Sequence, residues 1–333
     1  MGNVENKNVL ITGATGGLGL TLVKTFAENG FNVLATGRRE SACERIVSYG
    51  AKFLKADLTN STELTQLCDG IDILIHAAAL SDSWGKPEAF QNINVTATQD
   101  LLKASKNNGV QSFIFISSPS IYAAMKDQYG LTEEHESPSL PLNDYAKTKL
   151  EAEKLALAAN TETFKTVVIR PRAIVGPDDQ VLLPKITEMI NRGVLPSLRG
   201  GKAMIELTDV RDVAQAVLLA AQNIDKASGQ VFNISGGQEI LIRELAIKLA
   251  ECTSRKVRFI PLPMVFAKYL AKKLESKAIN EGYKNVPKLT RYTLATLAYS
   301  QTFDMSKARN KLGYEPKYDA LQTILDIAKE RAA

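Results

Sequence analysis

Three glycines at intervals of three, Gly13, Gly16 and Gly19, separate the apolar run Val9-Leu10-Ile11 from an amphipathic stretch over 18–29 that stops at Gly30. A strand that turns into a helix within so few residues needs a loop whose crowded positions carry no side chains. The first turn of such a helix also presents backbone N–H groups without intrahelical partners, a natural seat for phosphate. Gly13 is expected to make the turn, Gly16 to let the backbone approach a diphosphate, and Gly19 to let helix pack on strand. Thr15, Gly17 and Leu18 complete the loop. The spacing is GxxGxxG rather than the GxGxxG of the general dinucleotide fingerprint. Taken alone, the string also suits a purely structural turn.

The alternation continues. Residues 32–36, 52–56, 71–76, 112–116 and 166–170 read as further strands, and residues 40–49, 96–107 and 144–159 as helices. Strands interleaved with helices predict a parallel sheet covered on both faces. The 333 residues exceed what one core usually supports, and beyond Gly176-Pro177 the pattern loosens into shorter, proline-bearing elements. The expected fold class is α/β, a doubly wound parallel Rossmann sheet over residues 1–178 to which residues 205–234 return. A smaller C-terminal substrate lobe takes most of 179–333.

The end of the second strand should reveal the cofactor. A carboxylate there would bind the adenosine ribose of NAD, whereas an arginine accommodates the extra phosphate of NADP. The chain reads Ala35-Thr36-Gly37-Arg38-Arg39, with no acid before Glu40. Arg38 and Arg39 therefore favour NADP, with NAD as the alternative if Arg38 only stacks on adenine. Asp57 and Leu58, after the third strand, are placed to meet the adenine. His76, Ala77 and Ala78, after the fourth, are expected beside the cofactor, although His76 also suits a packed residue of that loop.

Tyr145 and Lys149 stand one helical turn apart on one face. A free phenol, with a pKa of about 10, is a poor acid–base group near neutrality; a neighbouring ammonium is expected to lower it. Tyr122 and Lys126 repeat the spacing, but Tyr122 follows strand five and precedes a proline-bearing loop over 126–144. Tyr145 opens a long helix and is the preferred phenol. Ser117-Ser118-Pro119-Ser120 offers hydroxyls at the end of strand five.

In this order and spacing, Gly13-x-x-Gly16-x-x-Gly19, Ser118 and Tyr145-x-x-x-Lys149 resemble the extended short-chain dehydrogenase/reductase family, which includes NAD-dependent epimerases and dehydratases. The resemblance covers nearly the whole chain. It implies Ser118, rather than Ser117 or Ser120, as partner of Tyr145. Asn94 is implied as support for the lysine or its water, and Pro171 as a nicotinamide contact. Trp84-Gly85, Arg170-Pro171-x-x-Ile174-x-Gly176-Pro177 and Leu312-Gly313-Tyr314-x-Pro316 resemble the 3β-hydroxysteroid dehydrogenase branch, whose bacterial relatives also reduce β-keto acids. The resemblance implies an NAD(P)-dependent oxidoreductase acting on a small apolar alcohol or ketone, and a homodimer paired through 96–107 and 144–159. Ala173, where nucleotide-sugar epimerases usually carry Asn, counts against that alternative substrate. A non-catalytic NADP-binding redox sensor is the further alternative, disfavoured by the retained Tyr–Lys pair.

Composition narrows the partners. Apolar residues make up 45% and charged residues 23%, which excludes a disordered chain or a disulfide scaffold. No run approaches the roughly 20 apolar residues of a spanning helix, and no charged-then-apolar leader precedes Val9. Cys43, Cys68 and Cys252 show no CxxC spacing, so neither disulfides nor a metal site is expected; the reading is cytoplasmic. Thirteen Lys or Arg face three acids between Arg255 and Lys311. Without a nucleic-acid-binding signature, this basic stretch fits a solvated face, an anionic substrate or at most peripheral membrane contact, the segment 262–274 being amphipathic. Tyr269, Leu270, Leu274 and Tyr283 suit a substrate lid and core packing equally.

Overall fold

The computed structural model describes residues 6–179 and 182–332. Seven parallel strands form the central sheet: β1 (Asn8–Thr12), β2 (Asn32–Gly37), β3 (Lys52–Lys55), β4 (Ile73–His76), β5 (Ser112–Ile116), β6 (Lys165–Pro171) and β7 (Gln230–Ile234). Their order is β7-β6-β5-β4-β1-β2-β3. The winding direction reverses between β1 and β4, which register Val9 against Ile73, and a crevice opens there beyond the strand ends.

Side-chain alternation along the strands divides the core into two layers. Val9, Ile11, Ile73, Ile75 and Ile114 pack with Leu22, Val23 and Phe26 of helix α1 (Gly17–Glu28). Leu10, Leu74, Phe113 and Phe115 point the other way, onto Leu101 of α2 (Ala97–Asn107) and Ala152 and Ala156 of α3 (Asp144–Ala158). With both faces covered, every strand but the edge β3 is mostly buried. The architecture is the doubly wound Rossmann sheet expected from the alternation.

The chain leaves the sheet after β6 and returns through α4 (Val210–Gln222) into β7. A separate apolar cluster, containing Leu183, Leu207, Leu245, Leu249 and Ile324, forms the lobe over the strand ends. A second return is not visible in the local pattern. Met305, Ala308, Leu312 and Tyr314 join the sheet's own core, and the Tyr314 hydroxyl donates to the Ser235 carbonyl at 2.9 Å. The loop over 126–144 contains a short strand, Gln128–Leu131, that pairs in parallel with Gln301–Phe303.

Candidate active site

A cavity of about 1730 Å³ runs along the C-terminal ends of the strands into the lobe. Of the residues singled out from the sequence as catalytic or cofactor-binding, all but His76 and Asn94 line it.

At the glycine loop, backbone demands and ligand demands separate. Gly13 has φ +68° and a Cβ there would stand 2.6 Å from the Ala78 nitrogen; at Gly19 it would stand 2.1 Å from the Gly13 carbonyl oxygen. Packing of the chain alone accounts for both. At Gly16 a Cβ would meet only the Gly13 oxygen, at 3.4 Å, and the backbone is extended with φ −89°. The protein leaves Gly16 room for a side chain, so the bare backbone facing the cavity fits a diphosphate. No side chain caps α1, which leaves its first N–H groups to an anion. A dinucleotide therefore fits the loop.

Beyond β2, Arg39 donates to the Thr15 carbonyl, while Arg38 is exposed on the cavity wall. Glu40 is turned to Lys55, 2.9 Å away. Asp57 accepts from the Thr59 N–H at 3.0 Å and the Thr59 hydroxyl at 2.8 Å, which lowers its carboxyl below the ordinary range. The expectation that His76 touches the cofactor needs correcting. Its ring is buried one layer behind the wall, with Nδ1 2.8 Å from the Thr12 hydroxyl and Nε2 2.9 Å from the Thr98 hydroxyl. Burial, aided by the Lys149 charge, pushes it down to about 3, so it stays neutral.

Asn143 starts α3 by accepting from the Ala146 N–H at 2.9 Å, and this cap places Tyr145 in the first helical turn. Ser118, at the end of β5, hydrogen-bonds the Tyr145 side chain. Ser117 points elsewhere, donating to Glu153 Oε2 at 2.6 Å. Tyr122 is fully buried off the cavity, its hydroxyl accepting from Arg170. The two Tyr-x-x-x-Lys pairs are thus told apart by exposure to the cleft.

The expected electrostatics of the pair are also corrected. Burial pushes the Tyr145 phenol up to about 12, with only the Ser118 hydrogen bond drawing it down. Lys149 is itself desolvated to about 7, held up by Glu153. Its ammonium spends its hydrogen bond on the Ile116 carbonyl at 2.5 Å. The protein by itself keeps Tyr145 a protonated acid.

Asn94 works from behind the wall, within a π-helical turn over Gln91–Thr96, a distortion common at functional sites. Its amide oxygen accepts from the Leu80 N–H at 2.7 Å, and its nitrogen donates to the Leu80 carbonyl and the Thr148 hydroxyl, both at 3.1 Å. It ties the loop after β4 to the helix turn between Tyr145 and Lys149. None of these partners is Lys149 itself.

Sequence reasoning missed the layer beneath. Arg170 and Glu153 form a buried ion pair, with Nε donating to Oε2 at 3.0 Å. Glu153 lies four residues after Lys149, on the same helix face, so the helical period that links Tyr145 to Lys149 extends to it. The suggested lid is also different. None of Tyr269, Leu270, Leu274 and Tyr283 lines the cavity; Val286, Pro287, Tyr292 and Leu297 do. Tyr269 is solvent-exposed, and Tyr283 packs on Trp84 with ring centroids 5.7 Å apart.

A glycine loop at the sheet's switch point and a Ser–Tyr–Lys cluster in one cavity define a dinucleotide-dependent oxidoreductase of the short-chain type. The chain belongs to the NAD dependent epimerase/dehydratase family, whose model matches residues 9–235. It is 33% identical over 318 residues to the protein YbjS of Escherichia coli, covering 92% of this chain and 93% of that one. It is 29% identical to the 4-hydroxy-2-methyl-3-oxo-4-farnesyl-3,4-dihydroquinoline-1-oxide ketoreductase of Stigmatella aurantiaca, over 91% of this chain and 90% of the relative. To a 3 beta-hydroxysteroid dehydrogenase/Delta 5-->4-isomerase of Mycobacterium tuberculosis it is 27% identical, over 97% and 90% respectively. The fold is shared with MoeE5 in complex with UDP-glucose and NAD, with a TM-score of 0.76 at 24% identity over 98% of this chain and 100% of that one. The chain is an NAD(P)-dependent dehydrogenase/reductase by family. Among the described residues no helix is long and apolar enough to cross a membrane.

Proposed function

We propose that the chain is an NADP(H)-dependent reductase that interconverts an apolar ketone and its secondary alcohol. The observation that carries this reading is the Tyr145 hydroxyl, hydrogen-bonded to Ser118 in the wall of the cavity that begins at the glycine loop. The dinucleotide, when bound, supplies or accepts the hydride. In the reductive direction Ser118 donates a hydrogen bond to the carbonyl oxygen, and Tyr145, protonated across the neutral range, gives its proton to that oxygen. Lys149 holds the cofactor ribose, and Asn94 keeps the helix turn that carries Tyr145 and Lys149 in register with the loop after β4. Pro171 contacts the nicotinamide.

The substrate end supports a ligand with a large apolar part, because Ile186, Leu195, Leu245, Phe259 and Leu297 line it, with Glu188, Arg192, Arg243 and Lys288 as the charged residues among them. The ketoreductase and hydroxysteroid dehydrogenase names among the relatives point the same way. Arg38, exposed on the cavity wall and in no ion pair or hydrogen bond among the described residues although its charge reaches Asp57, supports NADP over NAD. A cytoplasmic homodimer formed through α2 and α3 completes the reading.

NADPH absorbance followed with ketosteroids, β-keto esters and aromatic aldehydes tests it. At least one apolar ketone should be reduced. Tyr145→Phe should keep NADPH binding within about twofold while kcat falls roughly a thousandfold, the scale of positioned acid catalysis. Retained turnover would remove Tyr145 from the mechanism. Tightly held NAD and epimerisation of a nucleotide sugar without added cofactor would replace the reading altogether.

A further inference from the structure

The basic stretch between Arg255 and Lys311 contains a helix, α5 (Met264–Asn280), that packs on the lobe through small residues. Ala267 and Ala271 join Leu198 and, from α6 (Arg291–Ala298), Leu294 and Ala298. Glu275, the one acid within α5, is buried and committed to Arg291, 2.7 Å away. Glu281, just past the helix end, lies 3.7 Å from Lys277. Asp144 and Glu88 lie beyond that same end, where their charge reaches Tyr283. The outward face of the first turns is therefore without acid.

That face carries two kinds of side chain. Val265, Phe266 and Tyr269 are 84%, 53% and 63% exposed. Lys268, Lys272 and Lys273 are exposed beside them, and none of the three makes an ion pair or hydrogen bond among the described residues. At 3.6 residues per turn, Val265, Tyr269 and Lys272 follow one line along the helix. Phe266 and Lys273 flank it on one side and Lys268 on the other. Large apolar side chains clustered in this way differ from hydrophobic residues scattered singly over a surface.

We propose that α5 docks on an anionic lipid bilayer, with Val265, Phe266 and Tyr269 entering the interface and Lys268, Lys272 and Lys273 on the headgroups. A bilayer offers both what the lysines lack, negative charge, and what the apolar tip lacks, depth out of water. The lysine stems lie along the apolar boundary while their ammonium groups stay with the phosphates. A second copy docked on this face by two-fold symmetry would set lysine against lysine. Docking also brings the cavity to the surface of the bilayer. The chain leaving α5 carries Val286, 68% exposed, and Lys288 to the cavity wall. The helix behind, α6, lines the cavity with Tyr292 and Leu297. On the ketone-reductase reading above, on which this last step rests, an apolar substrate then passes from lipid to cavity without crossing water.

The test is co-sedimentation of the full chain with vesicles of phosphatidylcholine alone and of its equal mixture with phosphatidylglycerol. Wild type should bind the anionic vesicles at least about tenfold more tightly than the neutral ones. Replacing Lys268, Lys272 and Lys273 together by Gln should weaken that binding about 100-fold, roughly fivefold for each lysine at a charged surface. Phe266→Ser should weaken it about tenfold through lost apolar burial. A control removes the same charge from exposed lysines on other elements, Lys52, Lys103 and Lys311, and should lose less than about threefold, because distant charges are screened. All these positions are exposed, so melting temperatures should hold. Equal losses in the two triple variants would mean adsorption by net charge and overturn the proposal, as would full binding by Phe266→Ser. No binding by wild type overturns it in favour of an acidic protein partner, and a wild-type dimer split by Phe266→Ser overturns it in favour of a second copy. None of these readouts uses turnover, so such a failure leaves the reductase reading standing. A wild type that docks but reduces no apolar ketone removes that reading and the substrate passage, and the docking stands.

Discussion

The Lys149 ammonium lies 4.0 Å from the centroid of the Phe115 ring and donates to the backbone at the end of the same strand. The cation is held by an aromatic face and a single carbonyl, in a buried place that lowers its pKa to about 7. Below pH 7 both folded and unfolded chains carry this proton, and the folded chain bears the full cost of burying it. Above pH 7 the folded lysine releases the proton before the unfolded one does, near 10.4. The unfolded chain then binds more protons, so stability from this residue rises between about pH 7 and pH 10. Urea melts of wild type and Lys149→Met should diverge over that window, wild type gaining roughly 2–4 kcal/mol relative to the variant. Parallel curves would show that the lysine is not desolvated.

Gly16 and Gly19 should separate binding from folding. Gly16→Ala places its methyl in open cavity, so the melting temperature should hold while NADPH affinity drops at least about tenfold, the value of ~1.4 kcal/mol. Gly19→Ala drives a methyl into the Gly13 carbonyl and should cost about 2 kcal/mol or more of stability. Equal effects of the two changes on stability would contradict the loop geometry.

Arg38 faces the cavity and makes no ion pair or hydrogen bond among the described residues, although its charge reaches Asp57. Arg38→Ala should raise the KM for NADPH by about 10- to 100-fold, the range of a lost hydrogen bond to a charged group, with little change for NADH. The ratio of the two KM values is the measurement. If both rise together, Arg38 serves the adenine and not a phosphate.

The Glu153–Arg170 pair carries a stability prediction. Both side chains are nearly inaccessible, at 3% and 7%, so removing one strands the other. Glu153→Ala should cost about 3–5 kcal/mol, whereas Glu153→Leu with Arg170→Met should recover most of it. Chemical denaturation of the single and double variants decides this.

The strands, the helices and the glycine loop were legible because their signals are local. Period-two and 3.6-residue patterns and glycine spacing survive without knowledge of distant contacts. The return of Met305, Ala308, Leu312 and Tyr314 to the sheet was not legible, since an apolar residue in a short helix does not declare which core it joins. His76 looked like a cleft residue because it ends a strand beside the cofactor crevice. It is drawn inward by two threonines, Thr12 and Thr98, each distant from it in sequence. The suggested lid failed for a similar reason: Tyr269 and Tyr283 read as apolar cover, but the cavity is closed by the segment that follows them.

From its sequence alone the chain determined a parallel sheet, a phosphate-receiving turn and a phenol one helical turn from an amine, all set by short-range geometry. Tertiary structure alone decided that Ser117 turns away to Glu153, that the phenol is pushed up rather than down, and that Arg170 is neutralised while Arg172 makes no ion pair among the described residues. Those outcomes depend on desolvation and on partners far apart along the chain, which no local pattern encodes.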